Sequence, residues 1–317
     1  MNALRAGSGA VPRAVVHTPD GHLAVGEVTT APVFRPRPGN FWRRLLETRL
    51  VGTGLLISVV VVVCALAAPL LAPYAPNEQD YLALTDPPSL AHPLGTDDIG
   101  RDVLSRIIYG SRVSLEVGLI AVGIAVGVGV LLGLVAGYAG GLADDVIMRV
   151  VDSIQAFPSL ILALAITAAL GPSIVNAMLA IGFVATPGIA RLTRGQTLSV
   201  REREFVAAAR VCGASPLGIM RLHIWPNVTA PIIVQATLLM GTAIVTEAAL
   251  SFLGVGVQPP TPSWGAMLRT GSQYLEVAPW IGMASGAAIF VTVLAINFVG
   301  DGLRRALDPR LAGRKRQ

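Results

Sequence analysis

The chain has 317 residues and a net charge of +5, with 53% hydrophobic and only 14% charged residues. Because soluble domains carry about 25% charged residues, this composition excludes an ordinary soluble protein and places the chain in a bilayer. The pI of about 9.8 does not indicate nucleic acid as a partner, since the basic residues lie at the ends of apolar runs, where membrane topology places them.

The first 40 residues are rich in Pro, Gly, Thr and Arg and show no hydrophobic periodicity. They predict a disordered N-terminal arm over residues 1–40. The run CALAAP offers an A-x-A cleavage site at Ala65 to Ala67. The charged region before it, of about 50 residues, and its apolar core are too long for a secretory signal, so an uncleaved span is favoured.

Six apolar runs approach the roughly 20 residues that a helix needs to cross a bilayer. They lie at 50–71, 114–139, 147–169, 174–190, 229–254 and 278–300. Because backbone groups in lipid must be paired internally, they predict an all-α integral membrane protein, a six-transmembrane-helix bundle over residues 41–300. Phe157-Pro158 is a candidate kink in the third run, and Pro187 with Gly188 predicts a tilted or partly broken fourth helix.

Arginines determine the predicted orientation. Basic residues flank the first and last spans and recur before the fifth, at Arg35, Arg37, Arg43, Arg44, Arg49, Arg191, Arg194, Arg201, Arg203, Arg210, Arg221, Arg304, Arg305, Arg310, Arg314, Lys315 and Arg316. By the positive-inside rule, both termini, the loop at 191–228 and the basic tail at 301–317 are cytosolic. The loop at 72–113 has an acidic excess and is expected outside.

The outer loop contains HPLGTDDIGRDVLSRIIYGSRVSL. Thr96 or Asp97 is placed to cap a helix, and the pairs Asp97/Arg101 and Asp102/Arg106 are four residues apart on one helical face. We therefore predict a short helix at the outer surface. It is either an ordinary surface element or a brace at the entrance of a passage.

Glycine recurs at intervals of four in the second apolar run, at Gly123 and Gly127 and then at Gly129, Gly133 and Gly137. This spacing places small residues on helix faces where two backbones approach closely. Two interpretations remain open, a seam against a helix of another subunit and ordinary packing inside this bundle.

Two carboxylates lie within the predicted spans. Asp152 is near the start of the third run, and Glu247 is toward the outer end of the fifth. Since intramembrane carboxylates commonly line a transport path, both are candidates for a translocation pathway. The alternative for each is a side chain near the interface that is bonded to a neighbouring hydroxyl.

The segment EFVAAARVCGASPLGIMRLHIWPN has helix-forming residues outside the apolar runs. Gly213 allows one helix to end in a turn, and Ser215 with Pro216 is a favourable start for the next, with Ser as cap and Pro at the first helical position. Pro226 is expected to end this helix before the fifth span. The segment therefore predicts a short cytosolic helix between two turns.

Apolar residues occur on two sides of this short helix. Leu217, Met220 and Ile224 share one face, and Ile219 with Leu222 forms a second strip. A cytosolic helix with two apolar strips needs partners on both sides, which indicates docking between its own bundle and another protein.

Covalent chemistry is not indicated. Lys315 is the only lysine and has no glycine-rich loop before it, which excludes a phosphate-binding P-loop. The histidines, which show no H-E-x-x-H spacing for zinc, are His17, His22, His92 and His223. Cys64 in an apolar run and Cys212 in a cytosolic loop are expected to be free thiols.

A family resemblance rests on four motifs in order. Gly213, with Pro226 thirteen residues later and Ala-Ala-Arg before it, resembles the EAA loop of permease subunits of ATP-binding-cassette importers. The stretch from His92 quoted above, EAALSFLGVGVQPPTPSWGAML and FVGDGLRRALDPRL are similar to the C-type permease of the dipeptide/oligopeptide/nickel importer group. The resemblance covers roughly residues 40–312 and leaves the N-terminal arm uncovered.

The resemblance implies a type I ABC importer permease fold with a homologous second permease subunit, so that two six-span bundles enclose a passage. Two ATP-binding-cassette ATPase subunits would dock below, holding ATP and Mg, with no cofactor in this chain. An extracytoplasmic substrate-binding protein would deliver the cargo. The implied location is the bacterial plasma membrane, in contact with lipid, and the implied cargo is a dipeptide or oligopeptide, or else nickel or another small solute.

In this family the short helix after the loop glycine is the coupling helix, which lies in a cleft of the ATPase; here it maps onto residues 215–224. The residues of the loop implied in coupling are Ala207, Ala208, Gly213, Ser215, Pro216, Leu217, Met220, Arg221, His223, Ile224 and Pro226. ATP-driven closure of the ATPases is expected to displace this helix and reorient the spans between inward-facing and outward-facing states.

Two positions depart from the family pattern. Ala207 stands where the family usually has glutamate, and Arg305 stands where an aspartate is frequent. Glu204, three residues before Ala207 on the same helical face, is placed to compensate in part. Both departures concern details of coupling.

Two other classes compete with this interpretation. A self-sufficient secondary transporter needs several intramembrane ionisable groups and an internal repeat, whereas the sequence offers two candidate carboxylates and no obvious repeat. An intramembrane enzyme needs a metal pair or a nucleophile with its base, but His92 and His223 are predicted on opposite sides of the membrane.

Overall fold

The computed structural model describes residues 49–307 and two short strands ahead of them, β1 Arg13–His17 and β2 Leu23–Glu27. The helices in chain order are α1 Arg49–Leu66, α2 Ala68–Leu71, α3 Val103–Ala139, α4 Gly141–Gln155, α5 Ser159–Leu170, α6 Ile174–Arg201, α7 Glu204–Val211, α8 Pro216–Ile219, a π-helical turn Met220–Ile224, α9 Trp225–Phe252, α10 Trp264–Gln273 and α11 Pro279–Leu307. The strands and the helices belong to two separate compact units.

The N-terminal unit contains an antiparallel hairpin, with Val15 of β1 paired opposite Val25 of β2. These ten residues differ from the predicted disorder. Both strands carry β-branched valines, and the sequence between them, Thr-Pro-Asp-Gly-His, has the residue types of a turn. The rest of the predicted arm lies outside the described residues, as does most of the basic tail.

The second unit is the predicted all-α bundle. Its long apolar helices are α1, α3, α6, the helix that runs from α8 through the π turn into α9, and α11. A sixth span is formed when α4 and α5 are counted together, although the pair is bent by 89°. The bend falls at the predicted Phe157-Pro158 kink, where the proline lacks the N–H that would continue the helix.

The fourth span is not broken at Pro187, in contrast to the prediction. Helix α6 passes through Pro187 and continues to Arg201, so residues 191–201 of the predicted cytosolic loop are helical. Pro187 is buried and α6 packs along α3 more extensively than any other helix pair in the described part of the chain. This packing outweighs the single backbone hydrogen bond that a proline removes.

Glycines of α3 allow this close packing. A Cβ at Gly133 would lie 2.5 Å from the Ala190 carbonyl oxygen, and a Cβ at Gly137 would lie 2.7 Å from Thr197 Cβ. Gly129 packs in the same way against α6. These three glycines therefore serve packing inside the bundle, whereas Gly123 and Gly127 have no described atom within 4 Å of such a Cβ.

Tryptophan side chains join the outer loops to the helices. Trp264, the first residue of α10, donates from Nε1 to the Ile107 carbonyl at 3.0 Å. Trp280 of α11 donates from Nε1 to the Thr96 carbonyl, also at 3.0 Å. The residues before α3 and the α10 region therefore form one connected outer cap.

Buried clusters occupy both halves of the bundle. One, toward the predicted outer side, contains Val117, Ala177 and Leu250. The other, toward the predicted cytosolic side, contains Ile189 and Ile224 among its members. The second cluster includes residues of the segment that the sequence identified for docking, so that segment is part of the bundle core.

Candidate functional site

The docking segment begins where α7 ends at Gly213. Gly213 has φ of +80°, in the left-handed region that glycine adopts without strain. The Gly213 N–H donates to the Arg210 carbonyl and the Ala214 N–H donates to the Ala209 carbonyl, both at 3.0 Å. These bonds pair the last carbonyls of α7, so Gly213 has the predicted role of ending the helix.

The next helix begins as predicted at Ser215 and Pro216. The Ser215 hydroxyl accepts a hydrogen bond from the Gly218 N–H at 3.2 Å, and Pro216 occupies the first turn, where no N–H is needed. The cap matters because α8 is only one turn long before the backbone changes register.

The predicted end at Pro226 is wrong. A π-helical turn, Met220–Ile224, leads directly into α9, and Pro226 stands in the first turn of that helix. The Trp225 N–H donates to the Met220 carbonyl, five residues back. The change of register places the proline where a missing donor is tolerated, so the docking segment and span five are continuous.

The π turn also changes which apolar residues share a face. Ile219 and Ile224, five residues apart, are both buried in the core. Leu217 and Leu222, also five apart, are 71% and 68% exposed. The segment has two apolar sides as predicted, but the predicted grouping of Leu217 with Ile224 and of Ile219 with Leu222 is wrong, because it assumed α-helical spacing throughout.

The exposed side of this region is called the coupling surface. Its members, all exposed, are Ala207, Ala208, Val211, Gly213, Ser215, Pro216, Leu217, Arg221, Leu222 and Pro226. Among the other residues implied for coupling, Met220 and His223 are half-buried and Ile224 is buried. Val211, 89% exposed, was missed by the sequence analysis; its position in the last turn of α7 before Gly213 was the available signal.

Ion pairs hold α4 against α6 on the same side of the bundle. The Asp152 Oδ1 accepts from Arg191 Nη2 at 2.6 Å, and both side chains are more than half exposed. Arg194 donates twice to Asp144, from Nε to Oδ1 at 2.5 Å and from Nη2 to Oδ2 at 2.6 Å. No sequence pattern indicates the second pair, since its members are 50 residues apart.

Glu247 lies elsewhere and shares no hydrogen-bond partner with Asp152. Its side chain is 0% exposed and its Oε1 accepts from the Ser251 hydroxyl at 2.7 Å. The Ser251 hydroxyl in turn accepts from the Val257 N–H at 3.0 Å, in the loop after α9. The hydroxyl contact is the one named in the alternative for Glu247, but the other carboxylate oxygen, Oε2, is buried without a hydrogen-bond partner in the described part of the chain.

Of the two ion pairs predicted in the outer loop, Asp97/Arg101 is formed and Asp102/Arg106 is not. The cap residue is Asp102, whose Oδ2 accepts from the Ser105 N–H and hydroxyl at 2.7 Å each. Its Oδ1 lies 3.0 Å from His92 Nδ1. The helix that Asp102 caps is α3 itself, the second span. The separate short surface helix predicted from Thr96 or Asp97 is therefore wrong, because the residues before Val103 are not helical.

Asp97 rather than Asp102 is the partner of both arginines. Arg101 Nε donates to Asp97 Oδ2 at 2.7 Å, and Arg106 Nε lies 3.7 Å from the same oxygen. The predicted Asp102/Arg106 pair is not formed, and Arg106 Nη1 donates to the Pro76 carbonyl at 2.8 Å. Residues before Val103 are not helical, so the four-residue spacing does not bring Asp102 and Arg106 together.

A small cavity of about 60 Å³ lies beside these pairs, lined by Asp97, Arg101 and Arg106 and, across from them, by Thr261 and Thr270. The charged residues of the outer loop therefore face the α10 region, as a brace would. Burial first, and the neighbouring Asp97 carboxylate second, raise the pKa of Asp98 above its ordinary value.

The described residues form neither a metal site nor a nucleophile activated by a neighbouring base. No group of three or more His, Cys, Asp or Glu side chains arranged to hold a metal occurs in the described part of the chain. Ser105 and His92 both bond to Asp102, so the imidazole is not placed to take the serine proton as a general base would. The geometry thus defines a helical membrane protein with an exposed apolar segment suited to docking a partner, the architecture expected of a permease subunit.

Comparison with known proteins identifies the family. Residues 129–313 match the model of the binding-protein-dependent transport system inner membrane component. Residues 39–88 match the N-terminal TM domain of oligopeptide transport permease C. The chain belongs to the family of inner membrane components of binding-protein-dependent transport systems, and the predicted permease role is confirmed.

Curated relatives span nearly the whole chain. The dipeptide transport system permease protein DppC of Escherichia coli (strain K12) is 52% identical over 291 residues, covering 90% of this chain and 97% of that protein. The di/tripeptide transport system permease protein DppC of Pseudomonas aeruginosa (strain UCBPP-PA14) is 47% identical, with 86% and 91% covered. The glutathione transport system permease protein GsiD of Shigella flexneri serotype 5b (strain 8401) is 46% identical, with 86% and 90% covered.

A solved structure shares the fold. A chain of the MetNI methionine ABC transporter in an inward-facing conformation matches with a TM-score of 0.54 and 18% identity, covering 65% of this chain and 97% of that chain. Membership in this family implies an inner-membrane location and ATPase and binding-protein partners.

Proposed function

We propose that this chain is the C-type permease of an ATP-driven importer for dipeptides or other short peptides. It would pair with a homologous second permease, and each would form half of the translocation pathway. Two ATPase subunits would hold ATP and Mg on the cytosolic side, and an extracytoplasmic binding protein would supply cargo from the other side. The proposal is supported by relatives whose names specify dipeptide, di/tripeptide and glutathione transport.

The coupling surface is the observation that carries the ATPase assignment. Leu217 and Leu222 are exposed in a segment predicted to lie outside the bilayer, where lipid cannot cover them. The opposite side of the same turn, Ile219 and Ile224, is fixed in the bundle core. A segment that is anchored on one side and apolar on the other is suited to receive a partner protein and to transmit its movement.

The continuity of the docking segment with span five supports a mechanism. No non-helical residue separates Pro216 from Phe252. Displacement of the coupling surface by the ATPases would therefore move span five directly. The bundle would exist in an equilibrium between inward-facing and outward-facing states, and ATP binding would shift that equilibrium.

For the two candidate pathway carboxylates, the structure supports different roles. Asp152 is exposed and paired with Arg191 near the cytosolic side, so we keep it as a candidate at the inner end of the pathway. Glu247 is enclosed by its own subunit, and we propose that it holds the loop after α9 rather than facing the cargo. The outer residues Asp97, Arg101 and Arg106, with Asp102 as helix cap, would brace the entrance.

The first test is the composition of the complex isolated through a C-terminal tag on this chain. Native mass spectrometry is expected to show a second permease and ATPase subunits, and the same sample should hydrolyse ATP. A lone or self-paired chain that moves peptide in vesicles under a proton gradient would instead support a secondary transporter. Uptake of a nickel chelate or another solute, but no peptide, would contradict the peptide cargo.

The coupling surface is tested by Leu222→Asp. A charge in place of an exposed apolar contact should cost about 2 kcal/mol or more of binding energy, so the ATPases should be retained at least about 30-fold less tightly. Leu82→Asp is the control, because Leu82 is also an exposed leucine, 97% exposed against 68% for Leu222, but lies in the predicted outer loop. Equal retention of the ATPases by both variants would show that the coupling surface is placed incorrectly.

A further inference from the structure

Span five exposes polar side chains at mid-membrane depth. Gln235 and Thr242 are exposed and Thr246 is half-buried. They are spaced by seven and four residues, so they lie along one face of α9. At 1.5 Å per residue, Gln235 and Thr242 lie about 15 and 26 Å from the start of α9, within the part of the helix that crosses the hydrocarbon. We call this face the polar stripe.

The polar stripe is unsuited to lipid. The Thr242 and Thr246 hydroxyls donate to carbonyls of their own helix, at Leu239 and Thr242, both at 2.8 Å. Their oxygens retain acceptor capacity, and the Gln235 amide carries two donors and one acceptor at an exposed position. Placing an amide in hydrocarbon without a partner costs several kcal/mol, so this face requires water, a protein or a ligand beside it.

Other spans show the contrast. In the middle of α1 the exposed side chains are apolar, for example Val59 and Val60, whereas the polar Thr53 is exposed only near the start of the helix. Leu131 is exposed in the middle of α3. Those faces suit lipid or an apolar helix. The polar stripe differs from them in chemistry, because it presents an amide and hydroxyl groups where they present only hydrocarbon.

An open groove borders α9 at Val245, beside the polar stripe and not at the stripe residues themselves. Its volume is about 370 Å³, enough for about a dozen waters at roughly 30 Å³ each, and Val245, between Thr242 and Thr246 in the chain, forms part of its wall. Leu268 of α10, Phe290 and Asn297 of α11 line the other sides. The lining is apolar except for the Asn297 amide, and it carries no formal charge.

We propose that the polar stripe lines the translocation passage and binds the main chain of a peptide, while the groove receives one of its side chains. This inference rests on the proposed function and adds the residues that contact the cargo. The stripe offers neutral donors and acceptors, which match the amide groups common to all peptides. A groove without charge neither requires nor excludes a particular side-chain charge, so the chemistry favours recognition of the backbone over selection of sequence.

Water access is tested by cysteine labelling of the whole complex. In a background with Cys64→Ala and Cys212→Ala, Thr242→Cys should react with a water-soluble maleimide in at least one of two states, nucleotide-free or turning over ATP. Dialanine at saturating concentration should slow that reaction at least about fivefold. Val59→Cys is the control and should stay unreacted, because a thiol in lipid does not ionise. Absence of labelling at Thr242→Cys in both states, or labelling that dialanine does not slow, would overturn the proposal.

Uptake of radiolabelled dialanine into proteoliposomes gives an independent measurement. Thr242→Val removes one hydroxyl at nearly constant shape and should lower the uptake rate about 3- to 10-fold. Thr237→Val is the matched control: its hydroxyl also donates within α9, to the Ile233 carbonyl, but its methyl packs beside Gly300 in the same chain. The uptake rate of the Thr237→Val complex should remain within about twofold of the rate of the unsubstituted complex.

The outcomes separate the two proposals. No dialanine uptake by the unsubstituted complex would refute the proposed peptide function. Normal uptake, with equal effects of Thr242→Val and Thr237→Val and no protection from labelling, would refute only the assignment of the polar stripe.

Discussion

Substitutions of Gly213 give the sharpest test of the coupling segment. Different side chains at this position change either the backbone conformation of the turn alone or also the charge of the coupling surface. A Cβ at Gly213 would meet no described atom within 4 Å, so Gly213→Ala causes no collision. The φ of +80° remains, and an alanine there costs about 1–2 kcal/mol. This corresponds to roughly a 5- to 30-fold loss in the population of the native turn.

Three substitutions of Gly213 should therefore differ in how strongly they uncouple transport from ATP hydrolysis. Gly213→Asn should be mildest, since asparagine tolerates the left-handed region, and Gly213→Ala should lose part of the coupling. Gly213→Asp adds a carboxylate to the coupling surface, where a partner would bury it unpaired, and should uncouple transport from ATP hydrolysis. The assay is the ratio of peptide taken up to ATP hydrolysed in proteoliposomes.

A helical glycine provides the control for this series. Gly195 of α6 also has no described atom within 4 Å of a built Cβ, and it is not in a left-handed conformation. Gly195→Ala should leave the coupling ratio unchanged and stabilise the helix slightly. If Gly213→Ala and Gly213→Asp both retain the normal ratio, the turn at Gly213 does not position the coupling surface.

Glu247→Gln keeps an acceptor for Ser251 and should retain uptake, whereas Glu247→Ala should lower the stability of the outer cap by about 2–4 kcal/mol in thermal unfolding; equal damage by both would show that the charge is needed. Asp98→Asn should raise the unfolding temperature at about pH 7 but not near pH 3. The raised pKa of Asp98 means that the folded state holds its proton more tightly, so stability falls as pH rises through that pKa. An unfolding temperature that is unchanged at neutral pH would contradict this reasoning.

Features set by local chemistry were predictable from sequence. The six spans follow from apolar runs of bilayer length, and Pro158 breaks the third because its ring and its missing N–H interrupt the helix. Ser215, Pro216 and Gly213 have their predicted roles, since caps depend on residues within a few positions of one another.

Features set by tertiary packing were not predictable in the same way. Pro187 and Pro226 have the same local preference as Pro158, but the first is held in a helix by packing along α3 and the second follows a change to π-helical register. The Asp97–Arg101 pair was predicted, but the approach of Arg106 to Asp97 depends on a loop conformation before α3, which a helical spacing rule does not supply. The Asp144–Arg194 pair joins residues 50 positions apart, beyond any local rule.

The π turn connects the coupling surface to the proposed cargo contacts. Leu222 and Gln235 are joined by unbroken helix, about 20 Å long at 1.5 Å per residue. Because Ile219 and Ile224 are buried in the same core cluster as Val228 of α9, a force on the coupling surface acts on the bundle and is not absorbed by a flexible loop. The insertion of a π turn lets Leu217 and Leu222 face outward together while their neighbours stay buried. On the two proposals made above, the same helix therefore receives the movement of the ATPases at one end and changes the exposure of the polar stripe at its middle.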